Sequence, residues 1–204
     1  MYIPKHYSNE NLEEAFQFMN TYHFGTMISS INDIPTATHL PFTLEKTEGK
    51  IILNSHFSKA NNQNVSLENK SILTIFSEPH AYISPKFYDK KENVPTWNYV
   101  AVHAYGTAKI ITDDISIVNS LEQMISRMDP NYLNQWNELD ASYKSKMIMG
   151  ITAFEITIDE IQFKEKLSQN KTQAERKKII QEFSKSEIDN EKMIAKHMSK
   201  KDSI

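Results

Sequence analysis

A strand rich in aromatic side chains lies within residues 94–106, VPTWNYVAVHAYG. Successive side chains of an extended chain point to opposite faces, so one face holds Trp97, Tyr99, Ala101, His103 and Tyr105. The opposite face is mainly aliphatic and holds Asn98, Val100, Val102 and Ala104. The aliphatic face predicts contact with a core. The aromatic face predicts a surface covered by another layer or a partner subunit, or else the wall of a pocket for a flat aromatic ligand.

A second candidate site lies in residues 55–61, SHFSKAN, where a predicted strand ends and a short helix or ordered loop follows. Free backbone N–H groups at a helix N-terminus bind phosphate, and a nearby hydroxyl and ammonium strengthen such a site. Ser58 and Lys59 therefore form a candidate phosphate site. The alternative is that Ser58 caps the helix and Lys59 is an ordinary surface residue.

Other kinds of site have weaker support. His39, His56, His80 and His103 lie on separate predicted strands or loops without metal-ligand spacing, so we expect hydrogen-bonding roles and no metal site. The sequence contains neither GxGxxG nor a P-loop, and it lacks a nucleophile elbow. Residues 166–171, KLSQNK, predict a cap on the final helix through Ser168 or Asn170, or a polar edge over a ligand site.

The composition restricts the location and the partners. The chain has 204 residues and no cysteine, which excludes disulfides and thiolate chemistry. No apolar run is long enough for a membrane span and no secretory signal is evident, so a cytoplasmic location is expected. The net charge is −3, but residues 171–204 contain nine basic and six acidic residues. The acidic remainder disfavours nucleic acid, and the basic tail leaves weak DNA binding open.

Hydrophobic periodicity predicts six strands, over residues 24–31, 34–44, 50–57, 71–77, 94–111 and 151–158. We expect a first helix capped by Ser8 or Asn9, helices over 113–150, and a helical tail. Pro35 and Pro41 predict that the second strand lies at an edge or contains a bulge. This order favours a mainly β (α+β), antiparallel barrel with helical decoration. The predicted domain spans residues 1–170 with inserted helices over about 113–150, and a Lys-rich helical extension spans 171–204.

Several strings together resemble the PaiB family. They are MYIPKHY, FGTMIS, ATHLPF, SHFSKAN, PHAYISPKFY, VPTWNYVAVHAYG, GITAFEI and KLSQNK, in the family's order and spacing. The resemblance covers residues 1 to about 176. It implies an FMN-binding negative transcriptional regulator, linked in bacilli to repression of sporulation and of degradative-protease synthesis. It also implies a flavin-binding split β-barrel that forms a homodimer with the flavin at the subunit interface.

The resemblance assigns roles to particular positions. Thr38, His39 and Pro41 are similar to the strand at the flavin edge, and the segment of Ser58 and Lys59 is similar to the phosphate-binding turn. The full set of implied FMN-binding residues is Thr38, His39, Pro41, Ser55, His56, Ser58, Lys59, Asn61, Trp97, Asn98, Tyr99, Ser168 and Gln169. Many family members have arginine where this chain has Lys59, and lysine lacks the bidentate guanidinium fork. The sequence therefore predicts weaker FMN binding than is usual in the family, or an empty site in the isolated protein.

Two classes of function follow. The first is a dimeric regulator that binds FMN or a related flavin, with DNA contact, if direct, through the Lys-rich tail. Repression through a protein or small-molecule partner fits the charge equally well. The second is a flavin-dependent oxidoreductase, in which His39, His56 or His103 would steer protons for a small substrate.

Overall fold

The computed structural model describes residues 1–202. Within that range the strands are β1 (Ser8–Asn9), β2 (Phe24–Ile31), β3 (Ile34–Pro41), β4 (Thr43–Thr47), β5 (Lys50–Ser58), β6 (Ser71–Ile83), β7 (Thr96–Ile110) and β8 (Ile151–Lys166). The α-helices are α1 (Leu12–Thr21), α2 (Asp114–Met128), α3 (Tyr132–Glu138), α4 (Ala141–Met149), α5 (Gln173–Phe183) and α6 (Asp189–Asp202). Short 3-10 helices occupy Lys5–Tyr7, Asn62–Ser66 and Pro85–Phe87.

The strands form one eight-stranded sheet in the order β3-β2-β6-β7-β8-β5-β4, with β1 paired to β8. Antiparallel pairing, as predicted, joins β1 to β8, β2 to β3 and β6, β4 to β5, and β5 to β8. Asn32 and Asp33 connect β2 to β3 with φ angles of 51° and 63°. Positive φ at both central residues characterises the tight turns of β-hairpins, and Asn and Asp tolerate it. Strand β3 stands first in the order, as its two prolines predict for an edge strand.

The sequence misplaced several boundaries. Ser8 and Asn9 form strand β1, so they do not cap the first helix, which begins after Asn11. The Asn11 side chain accepts hydrogen bonds from the N–H groups of Glu13 and Glu14 at 3.0 and 3.1 Å. Residues 34–44 divide into β3 and β4, while β6 and β8 extend well beyond their predicted ends. Hydrophobic alternation does not mark where a long strand enters different surroundings, and tertiary context decides those ends.

The chain forms two compact units, and strands β6, β7 and β8 contribute residues to both. Unit 2 comprises residues 16–76 and 103–161. Its core contains the rings of Phe42 and Phe76, whose centroids lie 5.6 Å apart in a T-shaped arrangement. The helices inserted between β7 and β8 pack through a further cluster made by Ile117, Ile148 and Ala153. Aromatic and aliphatic burial therefore stabilises this unit.

Unit 1 comprises residues 1–15, 77–102 and 162–204, of which the structure describes those up to 202. Thr172 begins α5 through a capping box, because its side chain accepts from the Glu175 N–H while the Glu175 carboxylate accepts from the Thr172 N–H. Helix α5 is therefore capped by Thr172, and not by Ser168 or Asn170, which the sequence offered as caps. Residues Ile179, Phe183, Ile194 and Met198 of α5 and α6 are buried. The domain boundary predicted at residue 170 stays a prediction.

No helix within residues 1–202 is both long and apolar enough to cross a membrane.

Gly106 allows the close approach of β7 and β8. A Cβ added at this position would lie 2.2 Å from the Thr157 carbonyl oxygen, far inside van der Waals contact. The backbone of a neighbouring strand cannot yield as a flexible side-chain tip can. This explains the glycine in the string VHAYG.

We predict that Gly106→Ala lowers the free energy of unfolding by about 1–3 kcal/mol or more, because the new methyl group forces the two strands apart. The measurement is the urea midpoint at constant m-value. Gly150→Ala is the matched control, since its Cβ would meet nothing closer than 3.4 Å and its φ of −85° suits alanine. Equal midpoints for the two variants would contradict this account of Gly106.

Candidate functional site

The candidate phosphate segment begins where β5 ends, at Ser58. The helix that follows is a five-residue 3-10 helix, Asn62–Ser66, whose cap is Asn61. The Asn61 side-chain oxygen accepts from the Gln63 N–H at 2.9 Å. The predicted segment thus contains a short helix, but the helix begins at Asn62 and not at Ser58, and its N-terminus is already occupied by its own cap.

The backbone N–H groups of residues 59–61 are also engaged. The Lys59 N–H donates to the Gly150 carbonyl at 2.9 Å, and the Asn61 N–H donates to the Ser58 carbonyl at 2.8 Å. The Ala60 N–H donates to the Ser58 hydroxyl oxygen at 3.3 Å. The free N–H groups expected from the sequence are thus already used within the protein. The exposed side chains of Ser58 and Lys59 remain as possible anion donors.

Thr38 and Asn61 belong to a polar network that the sequence did not reveal. The Thr38 hydroxyl donates to the Gln63 side-chain oxygen and accepts from the Asn61 amide at 2.9 Å. Gln63 is fully buried, and its amide donates to the Ser29 hydroxyl and the Thr36 carbonyl, each at 2.9 Å. The Ser29 and Ser66 hydroxyls lie 2.8 Å apart. This network holds the 3-10 helix against β2 and β3. The only signal for it in the sequence is the polar run NNQN at residues 61–64.

The other predicted site residues of unit 2 lie on strands β3 and β5. His39 is exposed, its Nδ1 lies 2.9 Å from the Thr26 hydroxyl, and its ring stacks on Phe24. Ser55 is buried, and its hydroxyl donates to the Pro41 carbonyl at 2.7 Å. Burial lowers the pKa of His56, so its imidazole is neutral at pH 7.

The aromatic strand has the two faces that alternation predicted. Asn98, Val100, Val102 and Ala104 are buried. On the other face Trp97 is 50% exposed, and its ring lies beside those of His80 and Tyr82, with centroid distances of 5.4 and 6.2 Å. Tyr82 is itself 48% exposed. We call His80, Tyr82 and Trp97 the aromatic patch of unit 1. Tyr99 lies on the same face, with the Lys164 ammonium 5.2 Å from its ring centroid.

The loop after β8 is fixed in place by hydrogen bonds of the Asn98, Ser168 and Gln169 side chains. The Ser168 hydroxyl donates to the Asn98 side-chain oxygen at 3.1 Å, and the Asn98 amide donates to the sulfur of Met198 at 3.6 Å. Ser168 has a φ of 60°, a conformation that few residues other than glycine adopt. The Gln169 side-chain oxygen accepts from the Leu167 N–H, and its amide donates to the Glu165 carbonyl. These polar groups position the backbone, so a ligand role for them stays a prediction.

Within residues 1–202 no group of three or more His, Asp or Glu side chains is placed to hold a metal ion.

The structure brings the predicted site residues together as two groups. Thr38, His39, Pro41, Ser55, His56, Ser58, Lys59 and Asn61 belong to unit 2, whereas Trp97, Asn98, Tyr99, Ser168 and Gln169 belong to unit 1. Within each group the buried members serve mainly to hold loops, and the exposed members remain available to a ligand or a partner.

Solved structures with the same fold include the flavocytochrome Anf3 from Azotobacter vinelandii. It matches with a TM-score of 0.64 and 18% identity, over 80% of this chain and 72% of that one. The FAD and heme binding protein from Mycobacterium smegmatis matches with a TM-score of 0.60 and 17% identity, over 78% and 73% of the respective chains. The antiparallel α+β architecture is thus that of the split-barrel proteins, as predicted.

Sequence comparison gives a nearer relative, the protease synthase and sporulation protein PAI 2 of Bacillus subtilis (strain 168). The two sequences are 35% identical over 204 residues, which is 98% of each protein. A family model described as "Putative FMN-binding domain" matches residues 1–160. FMN is therefore the cofactor that the family implies. These matches, together with the strings that carry the resemblance, show that the chain belongs to the PaiB family of FMN-binding-domain proteins.

Proposed function

We propose that this protein is a homodimeric, FMN-binding negative regulator of transcription that represses sporulation and degradative-protease genes. The observation that carries the proposal is the exposed Ser58–Lys59 pair at the end of β5, inside the region that matches the FMN-binding family. The name of the Bacillus subtilis relative supports the regulatory part of the proposal.

The residues present fit the phosphate of FMN through side chains alone. Lys59 offers an exposed ammonium and Ser58 an exposed hydroxyl, while the neighbouring N–H groups are engaged. An ammonium neutralises a phosphate as a point charge and lacks the two parallel hydrogen bonds of arginine. FMN, when bound, would supply reversible redox chemistry to the protein. We therefore expect moderate FMN affinity that depends strongly on Lys59.

The aromatic patch supports the dimer. Trp97 and Tyr82 are each about half exposed in the single chain, and His80 beside them is also exposed. Clustered exposed aromatic side chains are enriched in protein interfaces, because their burial contributes much of the binding free energy. We infer that the patch is covered by the second subunit.

Several lysines of the C-terminal tail form ion pairs with carboxylates, and this affects how the protein could repress transcription. Lys192 and Lys200 lie 3.5 and 3.9 Å from carboxylates of Asp189 and Glu14, and Lys201 lies 2.6 Å from Glu165. Lys178 is likewise paired, with Asp89. Phosphate contacts would have to compete with these carboxylates. Direct DNA contact by the tail would therefore depend mainly on its other lysines, and repression through a protein or small-molecule partner fits the charge as well.

A flavin-dependent oxidoreductase is the second candidate. Burial lowers the pKa values of His56 and His103, so both imidazoles are neutral at pH 7 and able to accept a proton. An assay of NADH and NADPH oxidation with added FMN separates the two functions. Sustained turnover that falls in His56→Asn would favour the enzyme, whereas binding of FMN without turnover would favour the regulator.

We predict that Lys59→Ala weakens FMN binding by about tenfold or more, because it removes the charge that faces the phosphate. Lys59→Arg should tighten binding, since arginine can form two parallel hydrogen bonds. The measurement is a titration of FMN fluorescence with the full chain. Lys50→Ala, which removes another exposed lysine of the same unit, is the control and should bind like the wild type. Wild-type affinity in Lys59→Ala would place the phosphate elsewhere, and no binding by the wild type would refute the flavin proposal.

We predict that the wild type has twice the mass of one 23.7-kDa chain and that Trp97→Asp with Tyr82→Asp is monomeric. Two carboxylates in the aromatic patch would be buried without partners in the dimer. Light scattering coupled to gel filtration gives the masses. Tyr143→Asp changes a comparably exposed aromatic residue of α4 and should leave the dimer intact. A wild-type monomer, or a double variant that remains dimeric, would contradict the proposed interface.

A further inference from the structure

Unit 1 contains a small cavity of about 140 Å³. It lies among the 3-10 helix Lys5–Tyr7, the residues that lead into β7 and the loop after β8. Its lining includes Tyr88, Lys166 and Lys171, together with the apolar Val94 and Pro95. This lining includes two lysines and no acidic residue. The lining therefore carries an excess of positive charge, and its polar groups come from separate segments of the unit.

Tyr88, which lines this cavity, has a buried hydroxyl without a partner among the described residues. The residue is only 7% exposed, and its hydroxyl oxygen makes no hydrogen bond with any residue that the structure describes. Burial, with further contributions from Glu175 and Tyr7, raises the pKa of Tyr88, so the phenol remains a neutral donor. Buried hydroxyl groups are nearly always hydrogen-bonded in folded proteins. An unpaired one that lines a cavity indicates a missing acceptor.

Two lysines of the lining have ammonium N–H groups to spare, and one of them lies against the Tyr88 ring. The Lys171 ammonium lies 3.8 Å from the centroid of the Tyr88 ring and donates to the Asn93 side-chain oxygen at 2.7 Å. The Lys166 ammonium donates to the Thr96 hydroxyl and to the Trp97 carbonyl. An ammonium carries three N–H groups, so neither lysine is saturated by these neutral acceptors. The two positive charges and the phenol favour an anion.

Other hydroxyl groups of the lining are already used. The Tyr7 hydroxyl donates to the Asn170 side-chain oxygen at 3.3 Å, and the Ser168 hydroxyl donates to Asn98. The lining also includes the apolar side chains of Val94 and Pro95. The lining thus combines hydrogen-bond donors with apolar side chains. This combination suits a carboxylate with a short apolar body better than phosphate, which needs donors around its whole surface.

We propose that this cavity binds a small organic carboxylate, whose oxygens accept hydrogen bonds from Tyr88, Lys166 and Lys171. A protein cavity of about 150 Å³ admits one benzene molecule, so the ligand contains only a few carbon atoms. A flavin is too large, because pockets for ligands of that size measure about 300 Å³ or more. The proposal is independent of FMN binding and is tested without flavin.

The test is a titration of the full chain with propionate at constant ionic strength. Binding is measured by calorimetry and by the shift in melting temperature. We expect a Kd of about 1 mM or tighter for propionate. Uncharged propionamide and inorganic phosphate should bind at least about tenfold more weakly. Lys171→Met should reduce propionate affinity by about tenfold or more, because a charged donor is lost. Lys192→Met removes a lysine of the same unit that does not line the cavity, and it should bind like the wild type.

Tyr88→Phe distinguishes a ligand site from a structural role. The hydroxyl has no partner in the free protein, so the variant should melt at or above the wild-type temperature without ligand. With propionate, the stabilisation seen in the wild type should shrink or vanish. The proposal is overturned if the wild type does not bind propionate, if propionamide or phosphate binds as well, or if Tyr88→Phe retains full affinity. A lower melting temperature of ligand-free Tyr88→Phe would likewise overturn it, because the hydroxyl would then be paired within the protein.

Discussion

Both loops that carry candidate ligand residues depend on one constraint, the need of a buried side-chain amide for hydrogen-bond partners. In unit 2 the amide is that of Gln63, which binds the Ser29 hydroxyl and the Thr36 carbonyl. In unit 1 it is that of Asn98, which binds Ser168 and Met198. An unpaired amide in such surroundings would cost about 1–3 kcal/mol. Each loop is therefore fixed to its strand, whether or not a ligand is present.

This constraint separates residues that hold the loops from residues that meet a ligand. Thr38, Asn61 and Ser168 have the residue types of a binding site, yet their polar atoms are engaged within the protein. By contrast, the side chains of Ser58 and Lys59, which precede Asn61 in the same loop, are exposed to solvent. A rigid loop that displays one hydroxyl and one ammonium can orient a phosphate without rearranging its backbone. The cost is a shortage of N–H donors, which distinguishes this site from a phosphate-binding nest.

Charge is arranged differently in the two C-terminal helices and in the cavity beside them. The lysines at positions 178, 192, 200 and 201 each have a carboxylate partner. The hydrogen bonds of Lys166 and Lys171 go to neutral acceptors. Exposed ion pairs contribute little to stability, but they lower the positive potential that the tail offers to other molecules. These four lysines therefore offer less positive potential to other molecules than the composition of the tail suggests.

The sequence by itself determined the antiparallel fold class, the family and the two faces of β7. These features follow from local patterns: alternation buries Asn98, Val100, Val102 and Ala104 together, and Asn32 and Asp33 accept the positive φ of a hairpin turn. Only the tertiary structure decided which polar groups are free. The Lys59 N–H is taken by Gly150, and the Tyr88 hydroxyl has no partner among the described residues, because partners come from segments far apart in the chain. No spacing rule encodes those encounters, so the sequence could name the residue types of a site but not their availability.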